Sequence, residues 1–223
     1  MPPTGRPYPR FIADAPQEKR PYGRFSERLA ADFAAACEAL TGEAGQRLDP
    51  ETLRWYPERG WGGRVYVPVT ARGTVTEGDN GESPAEDADR VEFFGHVSFS
   101  RPDDSEEPAD LRTNADFTDV TADDNPDWRI DLNDDVIGTW RGDGGRGGDV
   151  TLIWGLPLVR GAVAATAELD EQVLDQAAIN DGRFTLVAVD AVHGFGDDHF
   201  LEIHLWDSRV TKLARESLYD DAE

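Results

Sequence analysis

Apolar and polar residues alternate in short runs over most of this chain. A two-residue period marks half-buried β-strands. Such runs occupy 64–71, 90–100, 128–132, 136–141, 150–158, 162–169, 184–192 and 200–206. One stretch has the other period. Leu29, Phe33, Ala36, Cys37 and Leu40 recur at helical spacing, Ser26 precedes them as a cap, and Gly42 and Gly45 follow. This predicts a helix over 26–41 with an apolar stripe that must pack on something. The sum is a mainly β protein, an antiparallel β-sandwich or barrel of roughly 8–10 strands with one N-terminal amphipathic helix packed on it.

Local signals refine the count. Pro68 lacks a donor, so its strand is expected at a sheet edge. Asn133-Asp134-Asp135 is turn chemistry and is expected to separate two strands. Runs 150–158 and 162–169 are expected to pair as a hairpin around Val159-Arg160-Gly161, forming the centre of the fold with the strands before them. Over 170–180, Val173, Leu174, Ala177 and Ala178 suit a helix slightly better than a strand, and 210–219 suits either. Two acid-rich stretches near 73–89 and 102–127 read as solvated loops, leaving 26–223 as one β-rich domain.

Charge sharpens this picture. The chain has 223 residues, 45 acidic and 22 basic, for a net charge of −23. Only Lys19 and Lys212 among the basic residues are lysines. An acidic, arginine-for-lysine surface keeps a protein soluble by self-repulsion, and its sign disfavours direct contact with nucleic acid or an anionic membrane. No apolar window is long enough to span a bilayer and the N-terminus has no apolar signal core, so a soluble, cytoplasmic protein is expected. Cys37 is the one cysteine and sits on the apolar stripe, which makes it a small core hydrophobe.

The charge is not uniform. Residues 1–29 hold six basic and three acidic side chains. Within them Arg6-Pro-Tyr8-Pro-Arg10-Phe11 returns as Arg20-Pro-Tyr22-Gly-Arg24-Phe25, with five of six positions matching. Proline holds each copy extended, so residues 1–25 read as an arm that projects arginine and aromatic side chains. Such an arm either lies on its own acidic body or reaches a protein partner or second subunit, where Arg and Tyr are favoured.

Other constellations are weaker. Asp131, Asn133 and Asp135 match the first ligand positions of a calcium loop, yet Val136 and Gly142 stand where that loop needs glycine and a bidentate Glu. His193, Asp197 and His199 share one loop and offer ligands for zinc or an acid–base pair. Gly142, Gly144 and Gly147 satisfy a dinucleotide glycine pattern but open a strand, not a helix. The Trp55–Trp61 stretch, WYPERGW, suits a stacking platform or corner packing. His96 sits among apolar residues as a sheet histidine.

The function expected is a non-catalytic protein–protein interaction or assembly module, with the basic arm docking on an acidic body. One alternative is a divalent-metal protein or metal-dependent hydrolase using His193, Asp197 and His199 or Asp131, Asn133 and Asp135. The other is an acidic decoy for a basic partner. No organic cofactor is implied.

Overall fold

Leu29, Phe33 and Cys37 lie four residues apart on α1 (Ser26–Thr41), so one face of the helix is apolar, and all three are buried. They close over a sheet face built from Val67, Val69, Ala71, Val91, Phe93, Val97 and Phe99. The computed structural model describes residues 25–41, 46–75, 90–100, 108–141, 147–169, 172–189 and 201–218. Their contacts divide them into two units, 25–127 and 128–218.

The first unit is an antiparallel sheet under α1. It comprises β1 (Gln46–Leu48), β2 (Arg54–Trp55), β3 (Arg59–Trp61), β4 (Arg64–Val75), β5 (Arg90–Ser100) and β6 (Ala109–Thr118). β4 pairs with β5 along its length and with β1, β2 and β3 on its other side. Pro68 therefore lies in a central strand, not at an edge. It is tolerated because β2 pairs at Val69 and β3 at Tyr66, which leaves Pro68 in the gap between them. Its carbonyl there accepts from the Tyr56 N–H at 2.9 Å. Tyr56 itself is buried, 3.4 Å from the Thr70 hydroxyl, so this part of WYPERGW packs inward. His96 is also buried, with its ring 5.4 Å from that of Tyr66.

β6 falls inside the acid-rich stretch read as loop. Leu111, Thr113 and Ala115 alternate with exposed Arg112, Asn114 and Asp116, so the strand period was present beneath the charge. β5 and β6 approach so closely at Gly95 that a Cβ would run into the Asn114 carbonyl.

The second unit is a sandwich. One sheet runs β11 (Phe184–Val189), β8 (Gly147–Pro157), β7 (Ile130–Arg141). The other runs β10 (Gln172–Ala178), β9 (Ala164–Leu169), β12 (Leu201–Trp206), β13 (Lys212–Ser217). Ile130, Ile153, Phe184, Leu186 and Ala188 of the first face Ala165, Ala167, Ala177, Leu201, Ile203, Leu205 and Ala214 of the second. The alanines let the sheets approach over β9, where a larger side chain would overfill the layer.

Three expectations change here. β7 is one twelve-residue strand, with no turn at Asn133-Asp134-Asp135. Pairing with β8 holds these residues extended, and ladder hydrogen bonds outweigh their local turn preference. β8 and β9 do not form a hairpin. The segment between them crosses from one sheet to the other, since both strands are buried and each needs its own partners. Residues 172–178 form a strand, not a helix, with a bulge between Val173 and Asp175. The short apolar pattern fitted both periods, and the open edge of β9 decided. Ten of the strands have six or more residues, in line with the number expected. Among the described residues no helix is long and apolar enough to cross a membrane.

Burial in the helix–sheet layer pushes the Cys37 thiol up to about 12. The reactive thiolate is therefore scarce at neutral pH. A disulfide reagent added to the native protein is expected to leave Cys37 unmodified and to titrate it fully in denaturant. Rapid native labelling would show that α1 lifts off its sheet.

Candidate functional site

β7 carries the sharpest acidic motif of the chain, and its register shows where each side chain goes. Directly paired residues share a face, so Asp131, Asn133 and Asp135 join Leu156, Trp154 and Leu152 on one side. Ile130, Leu132 and Asp134 join Pro157, Gly155 and Ile153 on the other, the side that faces the sandwich core. Successive residues on one face of a strand stand roughly 7 Å apart. The three calcium-loop candidates are thus brought to one face, but in a row and not around a point. Among the described residues no group of three or more His, Cys, Asp or Glu is arranged to hold a metal ion.

Asp134 is the misfit. It is the carboxylate on the core face, and burial raises its pKa to about 6, with the neighbouring charge of Asp135 adding to the shift. Gly155 makes the strand approach possible next to it, because a Cβ there would meet the Asp131 carbonyl.

A second polar cluster lies on the outer face of the four-stranded sheet. Glu202, His204 and Trp206 alternate along β12 and stand beside Glu168, Thr166 and Ala164 of β9. His204 and Glu168 are each 1% exposed. Nδ1 of His204 lies 2.8 Å from Glu168 Oε1, an ion-pair distance without the alignment of a hydrogen bond. Its Nε2 lies 3.0 Å from Glu202 Oε2 and 3.3 Å from Lys212 Nζ. The Thr166 hydroxyl donates to Glu168 Oε1 at 2.9 Å and accepts from the Trp206 indole N–H at 2.8 Å. Arg215 reaches Glu202 at 3.2 Å, and Lys212 Nζ stands 5.7 Å from the Trp206 ring centre. The imidazole is held between two carboxylates. Its burial keeps both nitrogens from a solvent-borne substrate, so the cluster orders the sheet. His204 lies five residues beyond His199 in the sequence, and no local motif marks it as part of a network. The signal was the alternation Glu202, His204, Trp206, which sets all three on one face.

The other expected site residues fall as follows. His193, Asp197 and His199 lie outside the described residues, as do Arg6, Tyr8, Arg10, Phe11, Arg20, Tyr22 and Arg24. Phe25 is described and half-buried at the start of α1. The dinucleotide-like glycines end at Gly147, which opens β8, so no helix follows them. No family model matches the chain, and no curated protein or solved structure matches it either.

Two measurements test these assignments. The native state holds the Asp134 proton more tightly than the unfolded chain, whose value is near 3.8. Stability is then lost as pH rises between about 4 and 6, and the loss is complete above that window. Asp134→Asn is expected to stabilise by roughly 1–3 kcal/mol at neutral pH and by nothing at about pH 4. Urea unfolding at both pH values checks this. His204→Ala leaves the Glu168 carboxylate buried without its imidazole and is expected to cost about 3–5 kcal/mol in the same assay. A cost under about 1 kcal/mol would show that water relaxes into the site.

Proposed function

We propose that this chain is a non-catalytic interaction and assembly module whose basic N-terminal arm docks on the acidic body of a neighbouring subunit. The observation that carries this reading is the segregation of charge. Residues 1–29 have three more basic than acidic residues, whereas the chain as a whole is at −23. The remainder is therefore at −26, and an arm of opposite sign is drawn to it. The repeated Arg-Pro-Tyr-x-Arg-Phe unit supplies cations and aromatic rings together, the residue types that anchor interfaces. His204 supports the non-catalytic part, because its ring is buried between Glu168 and Glu202.

Light scattering on the full chain and on a variant lacking residues 1–25 tests the proposal. The full chain is expected to have at least twice the monomer mass at low salt and to fall towards monomer at high salt, since screening weakens a charge-driven dock. The shortened chain is expected to be monomeric throughout. Equal masses for the two at low salt would overturn the reading.

A further inference from the structure

The edges of the sheets differ in how their outward backbone groups are treated. On β11 the Val187 N–H is taken by Asp175 Oδ2 at 2.8 Å. On β6 the Phe117 N–H is taken by the Asp116 side chain at 2.8 Å. On β13 the Leu213 carbonyl accepts from Arg129 at 2.6 Å. Such caps keep a strand edge from recruiting another strand.

The outer edge of β7 differs from these three. The Leu158 N–H donates to the Arg129 carbonyl at 3.0 Å, so pair 129–158 is hydrogen-bonded. Hydrogen-bonded and non-hydrogen-bonded pairs alternate in an antiparallel ladder. Residues 131, 133 and 135 therefore turn their backbone groups to β8, and Ile130, Leu132, Asp134 and Val136 turn theirs outward. Among the described residues no strand pairs with these four outward positions. Val136, at the end of the row, is 52% exposed.

The arm has the complementary chemistry. In an extended segment, alternate residues direct their N–H groups to the same side. Arg6, Tyr8 and Arg10 carry N–H groups, whereas Pro7 and Pro9 between them do not. Such a segment can pair on one side and offers few donors on the other. That makes it a terminal strand, one that extends a sheet by a single place and stops.

We propose that Arg6–Phe11 of a second copy of this chain adds as an antiparallel strand to the outer edge of β7, with Arg6 set opposite Asp134, Tyr8 opposite Leu132 and Arg10 opposite Ile130. This rests on the arm-docking function proposed above and names its place. Residues directly opposite in an antiparallel pair share a face, so Arg6, Tyr8 and Arg10 stand on the face of Ile130, Leu132 and Asp134. Asp134 has no cation bonded to it among the described residues, and the added strand brings one. Main-chain pairing supplies the affinity, and the arginine against a recessed carboxylate fixes the register. The prolines on the far side explain why addition ends there and no filament grows through the same edge.

The test uses the full-length chain at low salt with Tyr8→Pro and Asp134→Asn. Tyr8→Pro keeps every arm charge and removes the central donor. Hydrogen exchange at residues 130, 132 and 134 is expected to be about tenfold or more slower in the assembled wild type than in Tyr8→Pro. Asp134→Asn is expected to weaken assembly at least about tenfold while the fold itself becomes more stable, a combination that damage to folding cannot produce. If both variants assemble like wild type and their β7 amides exchange alike, strand addition at β7 is overturned. A mass loss on arm deletion would in that case still stand, and the arm would dock elsewhere. If arm deletion also leaves the mass unchanged, the assembly function falls with it.

Discussion

The two-sided pairing of β8 is the constraint on which the 128–218 unit depends. β8 lies between β7 and β11, and Val150 through Trp154 are all buried. A strand buried on both faces gives no hydrophilic side to set its register. The register is set by its neighbours. Gly155 is the one residue that can sit against the Asp131 carbonyl, and Ile153 must face the core opposite Leu186. A one-residue slip would exchange Trp154 with Ile153 and put an indole into a layer sized for alanines. The same register that aligns the core carries Asp134 onto the buried face. The sandwich thus holds a carboxylate it would not select for packing.

The two polar clusters illustrate different solutions to burying charge. Around His204 the charges are matched within the sheet: Glu168 and Glu202 flank the ring, Lys212 and Arg215 close the outer side, and Thr166 and Trp206 complete the hydrogen bonds. Such a network costs desolvation but becomes rigid once satisfied. Asp134 has no such circle. Its raised pKa records a carboxylate buried beside a like charge.

Acidity also shapes the edges. Asp116 and Asp175 spend their carboxylates on neighbouring N–H groups, which converts surface charge into protection of the backbone. On β7, Asp131 and Asp135 project from one face of the sheet and Asp134 from the other. One composition thus caps some edge groups and not others, according to which way each strand turns its carboxylates.

The sequence by itself determined the helix stripe and the clearly alternating strands, but not β6 or β10. Leu29, Phe33 and Cys37 could only form one face of a helix, and runs such as 201–206 could only alternate, because both periods are properties of the backbone. Tertiary structure decided everything that depends on a partner strand. It made Pro68 central by leaving a gap beside it, turned Asn133–Asp135 from a turn into a strand, and sent β8 and β9 to opposite sheets. It also drew His204 between Glu168 and Glu202, residues 36 and two positions away in the chain. Ladder bonds and face-to-face burial are made between segments far apart in sequence, and no local pattern records which strand will be the neighbour.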